Sequence, residues 1–148
     1  MLTLSDGGRR TLAGIGAAAA ALMAALMAGA IVLTFVNDRP ANRVSGLLMV
    51  VVTMVFVAQR AARAAQGVVT VGTRILFLVV VLFVFFMLLA TLGALDESDA
   101  PREFLAVGAL FLSEVGLVVT LPVLALLRST AAPAPRPAEY DGGWADEV

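Results

Sequence analysis

The chain has 148 residues, no Cys, no His and a formal net charge of −1, and 61% of its residues are hydrophobic. Soluble domains are about 45–50% apolar, so this composition excludes an ordinary soluble fold. Without Cys or His the chain forms no disulfide, no histidine-ligated haem or zinc site, and no Ser-His or Cys-His nucleophile. The sequence therefore predicts a membrane protein that is not an enzyme and has no cofactor, catalytic or metal site.

Four apolar runs predict an all-α fold, namely an integral membrane four-helix bundle with a disordered C-terminal tail. The predicted spans are residues 12–36, 44–58, 75–95 and 104–127, within a membrane domain at 12–128 that follows a cytoplasmic N-terminus at 1–11. A helix of about 20 apolar residues crosses a bilayer. The second run gives only about 22 Å of helix, so Arg43 and Arg60 are expected to reach from its ends toward the headgroups.

The first run also has a feature of secretory signals, because small residues at Ala28–Ala30 form a candidate cleavage site after a basic start. A signal core is about 7–15 residues long, whereas this run continues to Val36. A retained span is therefore expected. Its small residues recur at spacings of four and three, which lets helix backbones approach closely in lipid. This first-span small face comprises Gly14, Ala18, Ala21, Ala25 and Ala28.

The segment after the second run contains Arg60, Arg63 and Arg74 without interleaved aromatic residues. It predicts a helix that continues to Gln66 and stops at Gly67. The three arginines are expected to contact anionic headgroups, each with about 1 kcal/mol of attraction. Because the membrane accounts for them, a nucleic-acid partner is not expected.

The third run is bulky on every side and is expected to face lipid over much of its surface or to fill one side of the bundle. The fourth run carries a second line of small residues, and the first and fourth spans are expected to form a close pair. This fourth-span small face comprises Ala106, Ala109, Ser113, Gly116 and Thr120.

Glu114 is the only ionisable residue within the four predicted spans. Helical spacing turns it away from the fourth-span small face, toward bulky apolar side chains. Three interpretations remain open. In the first, a protonated Glu114 donates a hydrogen bond to Thr34, Thr53 or Thr91, of which Thr53, near mid-span, is the expected neighbour. In the second, Glu114 faces another subunit. In the third, it carries a proton or a cation, as intramembrane carboxylates do in transporters.

Charge asymmetry predicts the orientation, since cytoplasmic loops carry the excess of Arg in membrane proteins. Alternating spans place Arg9, Arg10, Arg60, Arg63, Arg74, Arg128 and Arg136 on one side and Arg39, Arg43 and Arg102 on the other. Both termini are therefore expected in the cytoplasm of a multi-pass protein of the cell membrane. Residues 129–148 contain prolines followed by acidic residues, which predicts a disordered tail.

The preferred function is a non-enzymatic subunit or assembly component of a larger membrane complex, or a self-associating bundle, with the lipid bilayer and a protein partner or second copy as neighbours. A second hypothesis is a small proton- or cation-coupled transporter or channel that uses Glu114. The chain is similar to the small multidrug transporters in size and span count only, since their essential glutamate lies in the first span. A third hypothesis is a holin-like or virion membrane protein. Exclusive use of Arg for positive charge, with many Ala and Val, is typical of a GC-rich prokaryote.

Overall fold

The computed structural model describes residues 3–37, 42–96 and 101–128. These residues form four helices, α1 (Asp6–Val36), α2 (Asn42–Ala65), α3 (Val71–Asp96) and α4 (Pro101–Leu126). All four are long and apolar enough to cross a membrane. The predicted all-α membrane four-helix bundle is confirmed, while the predicted disordered tail at 129–148 lies outside the described residues.

The second span is longer than its apolar run. Helix α2 has 24 residues, which corresponds to about 36 Å, and the residues added at its ends include Arg43, Arg60 and Arg63. The expectation that Arg43 and Arg60 reach toward the headgroups therefore stays a prediction. The helix ends as the sequence predicted, because Gly67 has a φ of 86° that L side chains rarely adopt. The amide of Gly67 donates to the Ala64 carbonyl and that of Val68 donates to the Arg63 carbonyl, the paired hydrogen bonds of a Schellman motif.

The helices alternate in direction but do not form a symmetric bundle. Helix α1 packs against both α2 and α4, α3 packs against α4, and α2 and α3 barely touch. Arg9 near the start of α1 and Arg74 near the start of α3 both hydrogen-bond to carbonyls just after α4. The N-terminal ends of α1 and α3 and the C-terminal end of α4 therefore share one end of the bundle.

The core is concentrated at this shared end, which we call the closed end. Large buried side chains from all four helices meet there, including Met23, Met54, Phe77, Leu117 and Leu121. Among the described residues, none is buried beyond Met27 in α1, before Met54 in α2 or before Ser113 in α4. The helices separate toward the other end, the open end. They leave one cleft of about 570 Å³ between α2 and α3 and another of about 400 Å³ between α1 and α4.

The expected close contact between the first and fourth spans is present and depends on two glycines. A Cβ atom on Gly16 would lie 3.1 Å from Thr120 Oγ1, and one on Gly116 would lie 3.1 Å from Ala19 Cβ. Ser113 is buried, so the C-terminal half of the fourth-span small face lies in the bundle. Ala106 is exposed and Ala109 half-buried, because they lie where the helices separate.

The α1 side of this contact differs from the sequence prediction. Every residue of the first-span small face (Gly14, Ala18, Ala21, Ala25, Ala28) is exposed, and the buried face comprises Arg9, Ala13, Gly16, Ala19, Ala20, Met23, Ala24 and Met27. Ala and Gly occur on all sides of α1, so more than one face of this helix allows close backbone approach, and their spacing alone does not tell which face the chain buries. The bulky Met23 and Met27 fill the space between α1 and its neighbours, which fixes the buried face instead.

Candidate functional site

The intramembrane carboxyl group of Glu114 lies inside the bundle. Glu114 is 0% exposed and belongs to the buried surface of α4, together with Leu117 and Leu121. Helix α3 covers this surface with a line of buried residues at helical spacing, namely Thr73, Phe77, Val80, Val84 and Thr91. The bulky face that surrounds Glu114 in the sequence is therefore occupied by α3 of the same chain.

Thr91 is the threonine that the structure brings to Glu114. Its Oγ1 lies 3.0 Å from Glu114 Oε1. Helical side chains tilt toward the N-terminus of their helix, so in the antiparallel α3–α4 pair these two side chains lean toward each other. The other carboxyl oxygen, Glu114 Oε2, is buried and has no hydrogen-bond partner among the described residues.

The hydrogen bonds of Thr91 fit a neutral Glu114. Thr91 Oγ1 also lies 3.0 Å from the Met87 carbonyl, one turn earlier in α3. A threonine hydroxyl carries one proton, and a carbonyl oxygen only accepts. When Thr91 donates to Met87, its contact with Glu114 is a hydrogen bond only if the carboxyl group is protonated and donates. A protonated carboxyl group also leaves no charge on the unpartnered Oε2, whose burial as an ion would be costly.

The other two candidate neighbours lie elsewhere. Thr34 Oγ1 donates to the Ala30 carbonyl, and Thr53 Oγ1 donates to the Met49 carbonyl, each at 2.8 Å within its own helix. Thr53 lines the cleft between α2 and α3. Thr53 is the neighbour of Glu114 that the sequence favours, but α2 packs on α1 and makes little contact with α4, so Thr53 does not reach Glu114.

Two arginines bind the end of α4 at the closed end of the bundle. Arg9 Nη2 donates to the Arg128 carbonyl at 3.0 Å, and Arg74 Nη2 donates to the Leu127 carbonyl at 3.3 Å. The last carbonyls of a helix have no intrahelical donor and carry partial negative charge. The two guanidinium groups supply both donors and positive charge, and thereby connect α1 and α3 to the end of α4.

This arrangement corrects the expected role of Arg74, which bonds to α4 rather than serving only as a headgroup contact. Arg60 is half-buried and Arg63 is exposed at the same end. The sequence prediction assigned Arg9 no contact, although Arg9, Ala13, Gly16 and Ala20 follow one another at helical spacing on the buried face of α1. Once Met23 and Met27 set the buried face of α1, this register places Arg9 on it.

No group of three acidic side chains lies close enough to hold a metal ion in the part of the chain that the structure describes. The hydroxyls of Thr34, Thr53 and Thr120 donate to carbonyls of their own helices, whereas that of Thr91 also contacts Glu114. Fold and composition together define a small multi-pass membrane protein. The chain matches no protein-family model, no curated protein and no solved structure.

Proposed function

We propose that this protein is a non-enzymatic component of a prokaryotic cell membrane that acts by packing against other membrane helices. It serves as a subunit or assembly component of a larger complex, or associates with further copies of itself. The observation that carries this proposal is the exposure of the whole first-span small face. In lipid, small residues at this spacing are a packing surface for a second helix, and the chain leaves this one unused.

The outward surfaces of α1 and α3 differ in a way that supports the proposal. Exposed positions of α3 include Leu78, Leu82 and Phe86, with exposed fractions of 54%, 61% and 63%, and such bulky side chains suit contact with acyl chains. The first-span small face has only Ala and Gly at its five positions. A lipid-facing helix gains nothing from this pattern, whereas a helix-facing one gains close backbone approach.

The cleft between α1 and α4 extends this surface. It has a volume of about 400 Å³, and Ala25 of the first-span small face lines it together with Gly29, Ala106 and Val107. Helices pack by placing ridges of side chains into grooves of their neighbours. The cleft adjoins the first-span small face at Ala25, so a partner helix on that face would have this space beside it.

Cross-linking at one position of the first-span small face tests the proposal. The chain has no Cys, so Ala21→Cys introduces a unique site for a benzophenone maleimide, and Leu82→Cys on the lipid-suited face of α3 is the matched control. Irradiation of Ala21→Cys in native membranes should give a protein adduct, at the mass of two copies or of one copy plus a partner. Irradiation of Leu82→Cys should give adducts with lipid and none with protein. Identical adducts at both positions, or a lone monomer after mild detergent extraction, would contradict the proposal.

A proton- or cation-coupled transporter that uses Glu114 is the second candidate. It is favoured by the buried and unpartnered Oε2 atom of Glu114. Against it, the hydroxyls of Thr34, Thr53 and Thr120 each donate to a carbonyl of their own helix, and Thr91 is the one side chain with a hydrogen bond to Glu114 among the described residues. Glu114→Gln should leave assembly and growth unaltered. Loss of proton-linked uptake in vesicles of this variant would favour the transporter over the packing function.

A further inference from the structure

A third cavity, distinct from Glu114 and from the packing surface of α1, lies at the closed end of the bundle. It has a volume of about 190 Å³ and is formed by the first turns of α1 and the end of α2. Its lining residues are Asp6, Arg9, Arg10, Ala65, Gln66 and Gly67. The two larger clefts are lined mainly by apolar side chains, whereas charged and amide groups line this one.

The charges around this cavity favour an anion. Arg9 and Arg10 contribute two positive charges against the single carboxylate of Asp6, so the lining has a net charge of +1. The cavity lies between the N-terminal end of α1 and the C-terminal end of α2. The dipoles of these two helix ends have opposite sign, so the arginine side chains determine the sign of the local potential. Arg60, Arg63 and Arg74 belong to the same end of the bundle and raise the positive potential further.

The available groups suit a phosphate. Guanidinium groups bind phosphate oxygens through paired, charge-assisted hydrogen bonds, and Arg10 and Gln66 are exposed at the cavity, which leaves their donors accessible. Arg9 is 3% exposed and is held by its bond to the Arg128 carbonyl, so it supplies a positive charge at a fixed position in the cavity wall. A single water needs about 10–15 Å³ of such space, so the cavity has ample room for a phosphate group.

We propose that this cavity is a binding site for one phosphate group. The side chains of Arg10 and Gln66 bind the group, and the fixed charge of Arg9 attracts it. At the end of a membrane bundle, such a group comes from the headgroup of an anionic lipid or from soluble phosphate. Basic pockets between membrane helices bind anionic headgroups in this manner. The site goes beyond the proposed packing function. It also differs from the general attraction between arginines and anionic headgroups, because particular side chains bind the phosphate group.

Native mass spectrometry of the full chain in uncharged detergent tests the site, with dioctanoyl phosphatidylglycerol as the anionic probe and dioctanoyl phosphatidylcholine as the zwitterionic one. Calorimetric titration with inorganic phosphate tests whether soluble phosphate is the ligand. Three exposed side chains are changed. Arg10→Gln and Asp6→Asn alter the cavity, whereas Arg63→Gln removes one positive charge at the same end without touching its lining.

The wild type should bind phosphatidylglycerol more tightly than phosphatidylcholine. A hydrogen bond to a charged group is worth about 1.5–3 kcal/mol, so Arg10→Gln should weaken binding at least about tenfold. Asp6→Asn should tighten it, because a repulsive carboxylate is removed, and Arg63→Gln should stay within about twofold. The same variant pattern with inorganic phosphate alone would support the site with soluble phosphate as its ligand. Equal weakening by Arg10→Gln and Arg63→Gln, or no binding of either probe, would overturn the proposal.

Discussion

Thr91 and Glu114 connect α3 to α4 through a contact of 3.0 Å between Thr91 Oγ1 and Glu114 Oε1. The contact lies toward the open end, where Thr91 is the only buried residue of α3 beyond Val84 among those described. Apolar packing holds the two helices together at the closed end, and this polar contact continues their association beyond it. Glu114 thus has a structural role whether or not it also titrates.

Thr91→Val should destabilise the bundle, because the two side chains have similar shapes and only the hydroxyl is lost. The change leaves Glu114 Oε1 without a partner, and we expect the free energy of unfolding to fall by about 1–2 kcal/mol. Reversible unfolding in mixed micelles measures this change. Thr53→Val is the matched control, since that hydroxyl donates only to the Met49 carbonyl of its own helix. Equal losses in both variants would show that the contact between α3 and α4 contributes nothing to stability.

Gly16→Leu should destabilise the contact between α1 and α4, because a Cβ atom there lies 3.1 Å from Thr120 Oγ1. Thr120 cannot move away freely, since the same atom donates to the Gly116 carbonyl at 2.7 Å. Overpacking typically costs about 1–3 kcal/mol, and unfolding in dilute detergent should show a loss of this size. Gly14→Leu, two residues away, has no atom within 4 Å of its Cβ position and should leave monomer stability unchanged. A stable Gly16→Leu variant would refute the close crossing.

Hydropathy was sufficient to predict four spans and the position of Glu114, because a bilayer imposes length and apolarity on any helix that crosses it. It was not sufficient to choose the neighbours of Glu114. Thr53 and Thr91 are equivalent by residue type, and Thr53 lies nearer to mid-span. Thr91 is nevertheless the neighbour, because α3, rather than α2, packs on α4. A sequence without charged pairs or motifs holds little information about which helices pack side by side.

The buried face of α1 and the bond from Arg74 to α4 escaped the sequence analysis for a related reason. Small residues surround α1, so the register of its contact depends on where Met23 and Met27 fit against other helices. Arg74 begins an apolar run, a position typical of headgroup contacts, and only the folded chain brings the Leu127 carbonyl within 3.3 Å of its Nη2 atom. Burial of Arg9 follows once Met23 and Met27 set that register, whereas the partner of Arg74 depends on where α4 ends in the folded chain.

Arg74→Met should loosen the end of α4. The substitution keeps much of the apolar stem but removes the donor to the Leu127 carbonyl, which lies at the negative end of the helix dipole. We expect a loss of about 1 kcal/mol in unfolding free energy and faster amide exchange in the last turn of α4. Arg63→Met, at an exposed position of the same end, should change neither quantity. Unaltered exchange in Arg74→Met would mean that the arginine does not hold this helix end.

The proposed orientation of the bundle follows from its charge distribution. Arg9, Arg10, Arg60, Arg63, Arg74 and Arg128 belong to the closed end, whereas Arg102 lies at the start of α4, at the open end. Positive side chains favour the cytoplasmic face during insertion, so the closed end, with both termini of the membrane domain, should face the cytoplasm.

Single-cysteine labelling checks this orientation, because the chain has no Cys of its own. Thr3→Cys and Arg102→Cys lie at exposed positions of opposite ends. A membrane-impermeant maleimide should label Arg102→Cys in intact cells and Thr3→Cys only after the membrane is permeabilised, since the bilayer shields the cytoplasmic end. The reverse pattern would place the closed end outside. It would also mean that the arginine excess at that end does not set the direction in which the helices insert.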